Sequence, residues 1–234
     1  MPLIETHALT KAYGWQPVLK KLDLSIERGE FVALLGPNGS GKSTLLRLIA
    51  GLSKPTAGTI RVGGWELPRE AAAVRAQIGL VSHKPLLYDN LTAYENLLFF
   101  CRLYALDDHN GRIKRGLERV GLTKRSADLV RTYSRGMLQR LSIARALLHE
   151  PDVLLMDEPY TGLDVDAATT LDGLMREAHA DGHTILMTTH ELERAATLAS
   201  RAVILSRGVI SYDAAMTADI AACYVKVTEA ASAK

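Results

Sequence analysis

The sequence contains few cysteines, few aromatic residues and almost no net charge. Its 234 residues include 2 cysteines and 3 phenylalanines, and 28 Lys and Arg residues nearly balance 26 Asp and Glu residues. Cys101 and Cys223 stand far apart and belong to no Cys-x-x-Cys or Cys/His spacing, which argues against a disulfide framework and against a zinc site. The basic residues are interspersed with acids, so we expect no nucleic-acid partner.

Long apolar segments are also missing. No apolar run approaches the roughly 18–20 residues that cross a bilayer, and the first residues lack the basic and apolar parts of a signal peptide. We therefore expect a cytoplasmic chain whose membrane role, if it has one, depends on a partner. The composition, 47% hydrophobic and 23% charged, is typical of a globular protein, and the length fits one large domain.

Strand and helix patterns alternate along much of the chain. The apolar run at residues 31–35 predicts a buried strand, and residues 43–50 predict the helix that follows it. Residues 153–156 and 184–189 predict two more buried strands, separated by an amphipathic helix that ends near Gly182. This βαβ order predicts a mainly parallel sheet.

Two other regions interrupt this α/β pattern. Residues 84–150 are predicted to be helical, with a capping box from Thr92 to Glu95. The first residues, to about residue 62, alternate in polarity and predict a small antiparallel sheet. We therefore expect an α/β core with its β-subdomain in residues 1–83 and 151–220, an inserted helical subdomain in residues 84–150, and a C-terminal tail in residues 221–234.

A phosphate-binding loop is predicted between the first buried strand and its helix. Residues 36–43 have the sequence Gly-Pro-Asn-Gly-Ser-Gly-Lys-Ser, which matches the pattern G-x-x-x-x-G-K-[ST]. Glycines let successive N–H groups surround phosphate oxygens, and the helix N-terminus adds unpaired donors. Lys42 would reach the β- and γ-phosphates and Ser43 would bind Mg²⁺. The candidate nucleotide-binding residues are Gly36, Asn38, Gly39, Ser40, Gly41, Lys42, Ser43 and Thr44.

Two adjacent acids, Asp157 and Glu158, follow the predicted strand at residues 153–156. Parallel sheets place ligands at the carboxyl ends of their strands. Nucleotide hydrolysis needs one acid on Mg²⁺ and a neighbour that orients or deprotonates water. These acids therefore support a nucleotide-hydrolysing site beside the phosphate loop.

From about residue 4 to residue 213, the chain resembles the ATP-binding subunits of ABC transporters. The resemblance depends on six motifs in the family's order. They are the A-loop aromatic Tyr13, the phosphate loop, the signature at residues 133–137, the acids Asp157 and Glu158, the D-loop at residues 162–164 and the switch histidine His190. It implies a P-loop NTPase fold, a RecA-like core, and ATP and Mg²⁺ as ligands.

The resemblance also implies a mechanism and partners. Two ATP-binding subunits, identical or closely homologous, would face each other head to tail, with each ATP between one phosphate loop and the other signature. Ser134 and Gly136 would contact the partner's γ-phosphate, and Asp164 would link the two sites. Glu158 would be the general base, His190 would hold the γ-phosphate, and Asp157 would bind Mg²⁺. Integral membrane subunits would dock on a groove near residues 86–100, which places the chain on the cytoplasmic face of the cell membrane.

Several residues depart from the family pattern. His83 stands where the Q-loop usually has a glutamine that reaches Mg²⁺, and Arg135 and Met137 replace a glycine and a glutamine in the signature. A histidine accepts only when neutral, and its unperturbed pKa is about 6.5. We hypothesise that ATP hydrolysis falls at mildly acidic pH, because protonated His83 would repel Mg²⁺. We expect Arg135 to face solvent.

These departures make the chain most similar to the ATP-binding subunit of the haem exporter used in cytochrome c maturation. ATPases of other bacterial exporters, for drugs, polysaccharides or lipids, share much of the pattern. A soluble ABC-type ATPase acting on nucleic acid or the ribosome is the alternative from another class, although such proteins generally carry two cassettes or a long coiled-coil insertion. A P-loop kinase would leave the signature and Glu158 without a role.

Overall fold

A computed structural model describes residues 1–82 and 84–232 of the chain, with side chains described to residue 230. The strands of this part are β1 (Ile4–Tyr13), β2 (Gln16–Ile26), β3 (Phe31–Leu35), β4 (Ala57–Val62), β5 (Trp65–Leu67), β6 (Ile78–Val81), β7 (Val153–Asp157), β8 (Thr184–Thr188), β9 (Arg201–Ser206) and β10 (Val209–Ala215). The helices are α1 (Lys42–Ile49), α2 (Ala71–Ala76), α3 (Ala93–Leu103), α4 (His109–Arg119), α5 (Arg135–Leu147), α6 (Val165–Ala180), α7 (Leu192–Leu198) and α8 (Ile220–Ser232).

The core sheet has six strands in the order β10-β9-β3-β8-β7-β6. Strands β9, β3, β8, β7 and β6 are parallel, and β10 pairs antiparallel with β9 at one edge. All residues of β3 and β8 are buried, which explains their continuous apolar sequence. Because β3, β7 and β8 are neighbours, the loops that follow them lie at one edge of the sheet.

The second sheet is antiparallel, in the order β2-β1-β4-β5. Its inward residues, among them Ile4, Leu24 and Ile60, pack with α1 and the nearer face of the core sheet in one apolar cluster. A second cluster joins the other face of the core sheet to α3, α4 and α5. The predicted fold class, a mainly parallel core with an N-terminal antiparallel sheet and inserted helices, is therefore confirmed.

Residues 84–150 contain no strand, and only an isolated bridge joins Thr92 to Leu129. The predicted capping box is present at the start of α3, where Thr92 accepts from the N–H of Glu95 and Glu95 accepts from that of Thr92. The division of the chain at residues 83, 150 and 220 stays a prediction.

The segment that we assigned to a C-terminal tail contains helix α8. Ile220 at its start is buried, and Tyr224 and Val227 pack against the core cluster that contains β9 and α7. Residues 233 and 234 lie outside the described residues. Within the part that the structure describes, no helix is both long enough and apolar enough to cross a membrane.

Candidate functional site

The phosphate loop connects β3 to α1 and lies close to the backbone of β9. A Cβ at Gly36 would be 2.1 Å from the Leu205 carbonyl oxygen, so only glycine fits there. Gly39 and Gly41 have φ values of +78° and +109°, in the left-handed region that favours glycine. Gly41 is also the N-cap of α1, so the loop opens directly onto the helix N-terminus. Thr44 in the first turn of α1 is half-buried, and Asn38 is exposed at the tip of the loop.

Lys42 folds back into the loop and is buried. Its Nζ donates to the carbonyl oxygens of Gly36 at 2.7 Å and Pro37 at 3.3 Å, and lies 3.9 Å from Glu158 Oε1. Burial lowers the pKa of Lys42, while the negative charges of Glu158 and Asp157 act in the opposite direction. The loop therefore holds a cation on the side that faces the two acids.

Ser43 and Asp157 meet across the gap between α1 and β7. Ser43 Oγ donates to Asp157 Oδ1 at 2.9 Å, and Thr188 Oγ1 donates to the same oxygen at 2.8 Å. A hydroxyl beside a carboxylate is an oxygen donor pair suited to Mg²⁺, which typically takes one or two protein oxygens together with phosphates and waters. The buried Ser40 Oγ finds no hydrogen-bond partner among residues 1–82 and 84–230, so the loop also offers a free polar group.

No larger metal cage appears in the described residues, since no three His, Cys, Asp or Glu side chains cluster there. His179 and His183, four residues apart, bond instead to separate backbone carbonyl oxygens, those of Gly29 and Pro151. The hydroxyl of Ser43 and the carboxylate of Asp157 fit an Mg²⁺ ion that phosphate oxygens also bind.

Glu158 is held at the end of β7 in a left-handed conformation, with φ of +51°. Its N–H donates to the carbonyl oxygen of Thr188 at 3.2 Å and to Thr188 Oγ1 at 2.9 Å. Glu158 Oε2 lies 2.8 Å from His190 Nδ1, and the His190 side chain is 65% exposed. Backbone conformations of this kind are uncommon for residues with side chains and concentrate at functional sites.

Sequence reasoning missed Thr188, which contacts both acids. One feature of the sequence could have identified Thr188, namely a polar residue at the carboxyl end of a buried strand. In the sheet this strand lies next to the strand that carries Asp157. A threonine in a strand is common for reasons of packing alone. Only the pairing of β7 with β8 brings its hydroxyl to the acids.

The signature residues form a second, more exposed group. Ser134 is the N-cap of α5, and its Oγ accepts from the N–H of Met137 at 3.3 Å. Asp164 is the N-cap of α6, and its Oδ1 accepts from the N–H of Ala167 at 2.8 Å. Helices α5 and α6 approach so closely that a Cβ at Gly136 would be 2.9 Å from the Cβ of Ala167. These residues line one cavity of about 280 Å³.

Arg135 is exposed, but its guanidinium lies over Gly162 of the D-loop. A Cβ at Gly162 would be 2.7 Å from the guanidinium carbon, and Gly162 has a φ of +72°. The contact joins the signature to the D-loop within one chain.

The remaining predicted site residues lie elsewhere or are not described. Tyr13 ends β1, is 52% exposed, and has the Lys11 ammonium 4.8 Å from its ring centroid. His83 lies outside the described residues. The structure thus brings Lys42, Ser43, Asp157, Glu158 and His190 together, whereas Ser134, Gly136 and Asp164 form the second group.

A groove of about 770 Å³ lies on the face of α5 near α2 and α3. Apolar side chains line much of it, and His149 contributes a half-buried ring whose Nε2 lies 3.1 Å from the Ile78 carbonyl oxygen. Burial lowers the pKa of His149. The groove includes Leu86 but extends well beyond residues 86–100, where we expected it.

Comparison with known proteins assigns this arrangement to a family. The family model described as ABC transporter matches residues 19–161. The chain is 38% identical over 209 residues to the linearmycin resistance ATP-binding protein LnrL of Bacillus subtilis, covering 88% of this chain and 67% of that protein. It is 41% identical over 207 residues to the Nod factor export ATP-binding protein I of Paraburkholderia xenovorans, covering 88% and 68%.

Among solved structures, a dimeric ATP-binding cassette in a post-hydrolysis state with ADP and Pi superposes with a TM-score of 0.83 and 29% identity, covering 92% of this chain and 99% of that one. The motifs, the fold and these similarities agree, and the chain belongs to the ABC transporter family as an ATP-binding cassette.

Proposed function

We propose that this chain binds ATP with Mg²⁺, hydrolyses it at a site shared by two cassettes, and so energises export by separate membrane subunits. The main support for this proposal is that Lys42, Glu158 and His190 lie close together beside the Ser43–Asp157 pair. Such a set combines phosphate binding, a base and oxygen ligands, which is what hydrolysis of a nucleoside triphosphate requires.

Each loop residue has a role in nucleotide binding. The adenine stacks on the exposed ring of Tyr13, and the phosphates lie along the N–H groups from Gly36 to Thr44. Ser43, Asp157 and His83 would hold Mg²⁺, which would neutralise charge on the phosphates. Lys42 exchanges its carbonyl partners in the loop for phosphate oxygens.

Glu158 receives the proton of the attacking water. One oxygen of its carboxylate contacts His190 and the other lies near Lys42, so the group has a fixed orientation between two potential cations. His190 Nδ1 lies 2.8 Å from Glu158 Oε2, which leaves Nε2 as the ring nitrogen that meets the γ-phosphate. The water adds to phosphorus, ADP leaves, and the transferred proton departs with the products.

The second cassette supplies the signature side. Ser134, Gly136 and Asp164 lie at the beginnings of two helices on an exposed part of the chain, where N–H groups attract anions. The dimeric cassette that resembles this chain supports a pair of cassettes, and the head-to-tail arrangement is the one that the motif resemblance implies. The partner is a second copy of this chain or a close homologue.

Export is supported by the relatives, one named for linearmycin resistance and another for Nod factor export. The groove beside α5 is the proposed docking place for the membrane subunits, which would hold the chain at the cytoplasmic face of the membrane. Haem as the cargo is supported by the motif resemblance alone, and the two named relatives concern other molecules. The acid sensitivity attributed to His83 remains a prediction.

The Glu158→Gln variant tests hydrolysis and dimerisation together. We expect hydrolysis to fall by about 10²–10⁴-fold, because the base is lost, while ATP binding persists and drives dimerisation that is visible by size-exclusion chromatography with light scattering. Glu118→Gln, an exposed glutamate of α4, is the matched control. Hydrolysis at the normal rate by Glu158→Gln would contradict the proposal, as would the absence of any ATP-dependent dimer.

Affinity purification from native membranes, followed by mass spectrometry, tests the transport role. We expect integral membrane subunits to co-purify. Recovery with ribosomes or DNA would instead support the alternative of a soluble ABC-type ATPase.

A further inference from the structure

Three side chains from separate segments, two of them buried and the third half-buried, form a polar cluster. Tyr160 donates its hydroxyl to Asp172 Oδ1 at 2.6 Å, and Arg194 donates Nη1 to Asp172 Oδ2 at 2.6 Å. Tyr160 is 3% exposed and Asp172 is 7% exposed. A buried carboxylate is tolerated only when it is paired and hydrogen-bonded, and here both of its oxygens are satisfied.

The positions of these residues in the chain connect the cluster to the site. Tyr160 follows Glu158 by two residues, and Arg194 follows His190 by four residues on α7. Asp172, on α6, is the common partner of both. Arg194 also donates Nε to Glu191 Oε2 at 2.8 Å, and its guanidinium lies 5.3 Å from the Tyr160 ring centroid.

The contacts therefore form a closed ring. The chain links Glu158 to Tyr160, and both Tyr160 and Arg194 bond to Asp172. The chain also links Arg194 to His190, and His190 contacts Glu158. The His190 side chain is largely exposed, so packing does little to determine its place. Burial and the bond to Asp172 raise the pKa of Tyr160, so its hydroxyl stays a donor at neutral pH.

We infer that Tyr160, Asp172 and Arg194 are positioning residues that set the distance between Glu158 and His190 for hydrolysis. Asp172 joins the segment after β7 to the first turns of α7, and it thereby fixes the two segments that carry the reacting groups. The inference rests on the proposed function, in which Glu158 and His190 act on ATP. Small displacements of reacting groups have large effects on rate, so the cluster matters although it does not touch the nucleotide.

The Tyr160→Phe variant removes one hydroxyl and keeps the ring. We expect kcat for ATP hydrolysis to fall about tenfold while KM for ATP changes less than about twofold, because the nucleotide-binding loop is untouched. Tyr94→Phe is the matched control, since Tyr94 on α3 also donates at 2.7 Å to a side-chain oxygen, that of Asn110. Arg194→Lys keeps a cation beside Asp172 but has one nitrogen in place of the guanidinium fork that bonds Asp172 and Glu191 together. We expect kcat to fall and KM to stay nearly unchanged in this variant too.

A double variant distinguishes positioning from a general loss of stability. In a His190→Ala background, measured in single turnovers, Tyr160→Phe should change the rate less than about twofold, because the group it positions is gone. An equal loss in both backgrounds would overturn the inference, and so would an unchanged kcat in Tyr160→Phe and Arg194→Lys. Failure of the proposed function would appear separately, as continued hydrolysis by Glu158→Gln.

Discussion

The phosphate-loop side and the signature side of this cassette are built differently. In the phosphate loop, Gly36, Ser40 and Lys42 are buried against the core sheet, and Lys42 already faces Glu158. On the signature side, Ser134 and Asp164 are exposed, and each side chain caps only its own helix.

The difference indicates which half of the site the chain completes by itself. Core strands hold the loop and the acids in place, so we expect this half to need only nucleotide and Mg²⁺. The signature half presents helix N-termini with few further contacts, which is a surface that a partner's phosphates can complete. We therefore expect a cassette of this kind to supply one half of each of two sites.

Mixing two inactive variants gives the largest expected effect. Lys42→Ala removes the phosphate-binding cation, and Ser134→Asp places a carboxylate where the partner's γ-phosphate would lie, so each alone should lose about 100-fold or more in hydrolysis. In an equal mixture half of the dimers are mixed and each of these has one intact site, which should restore about a quarter of the activity.

Steady-state ATPase assays of the mixture measure this recovery. The control is each variant mixed with itself at the same total concentration. A mixture no more active than the two variants separately would mean that both halves of a site come from one chain, so the signature side would need no partner.

Glycine substitutions compare the rigidity of the two sides. In Gly36→Ala the new Cβ meets the Leu205 carbonyl oxygen of β9, so we expect a loss of about 3 kcal/mol in the free energy of unfolding. In Gly162→Ala the Cβ meets only the flexible Arg135 side chain, and the left-handed backbone should cost about 1–2 kcal/mol.

Chemical denaturation measures both changes. Gly173→Ala is the control, because this glycine lies within α6 with no atom near its Cβ position, and alanine should stabilise the helix by up to about 1 kcal/mol. Equal losses for Gly36→Ala and Gly162→Ala would show that the two sides are equally constrained.

The smallest expected effect is a change in stability at Ser134, which caps α5 and, as proposed, contacts the partner's γ-phosphate. Ser134→Ala removes the cap of α5 and should cost about 1 kcal/mol of stability, whereas Ser134→Asp keeps a capping side chain and should stay within a few tenths of a kcal/mol. Thermal unfolding measures this difference. If both variants lost the same stability, the fall in hydrolysis of Ser134→Asp would no longer indicate contact with phosphate.

Local sequence predicted much of the fold, for identifiable reasons. The buried strands β3, β7 and β8 are continuous apolar runs, and the capping box of α3 lies within four residues. Strand β6 was missed because it is short and contains Gly79. Glycine is required there since a Cβ would be 2.5 Å from the carbonyl oxygen of Ala146, a residue far along the chain. Strand β9 was missed too, although its sequence is largely apolar.

The residues of the candidate site also differ in whether local sequence predicts them. Lys42 and Ser43 belong to one short pattern, and Asp157 and Glu158 to another, so spacing alone predicted them. Thr188, Asp172 and Arg194 belong to no short pattern. The bonds that matter here join residues far apart in sequence: 12 residues for Tyr160 and Asp172, 22 for Arg194 and Asp172, and 31 for Thr188 and Asp157. Sequence spacing does not predict such contacts.

The sequence by itself determined the family, the phosphate loop and the identity of the two acids. Each motif involved is a short run of residues that are close in the chain. Only the tertiary structure decided that Glu158 meets His190 and that Asp172 joins the segments which carry them. The order of strands in the core sheet brings these distant segments to one edge, and side-chain contacts across that edge depend on packing rather than on spacing.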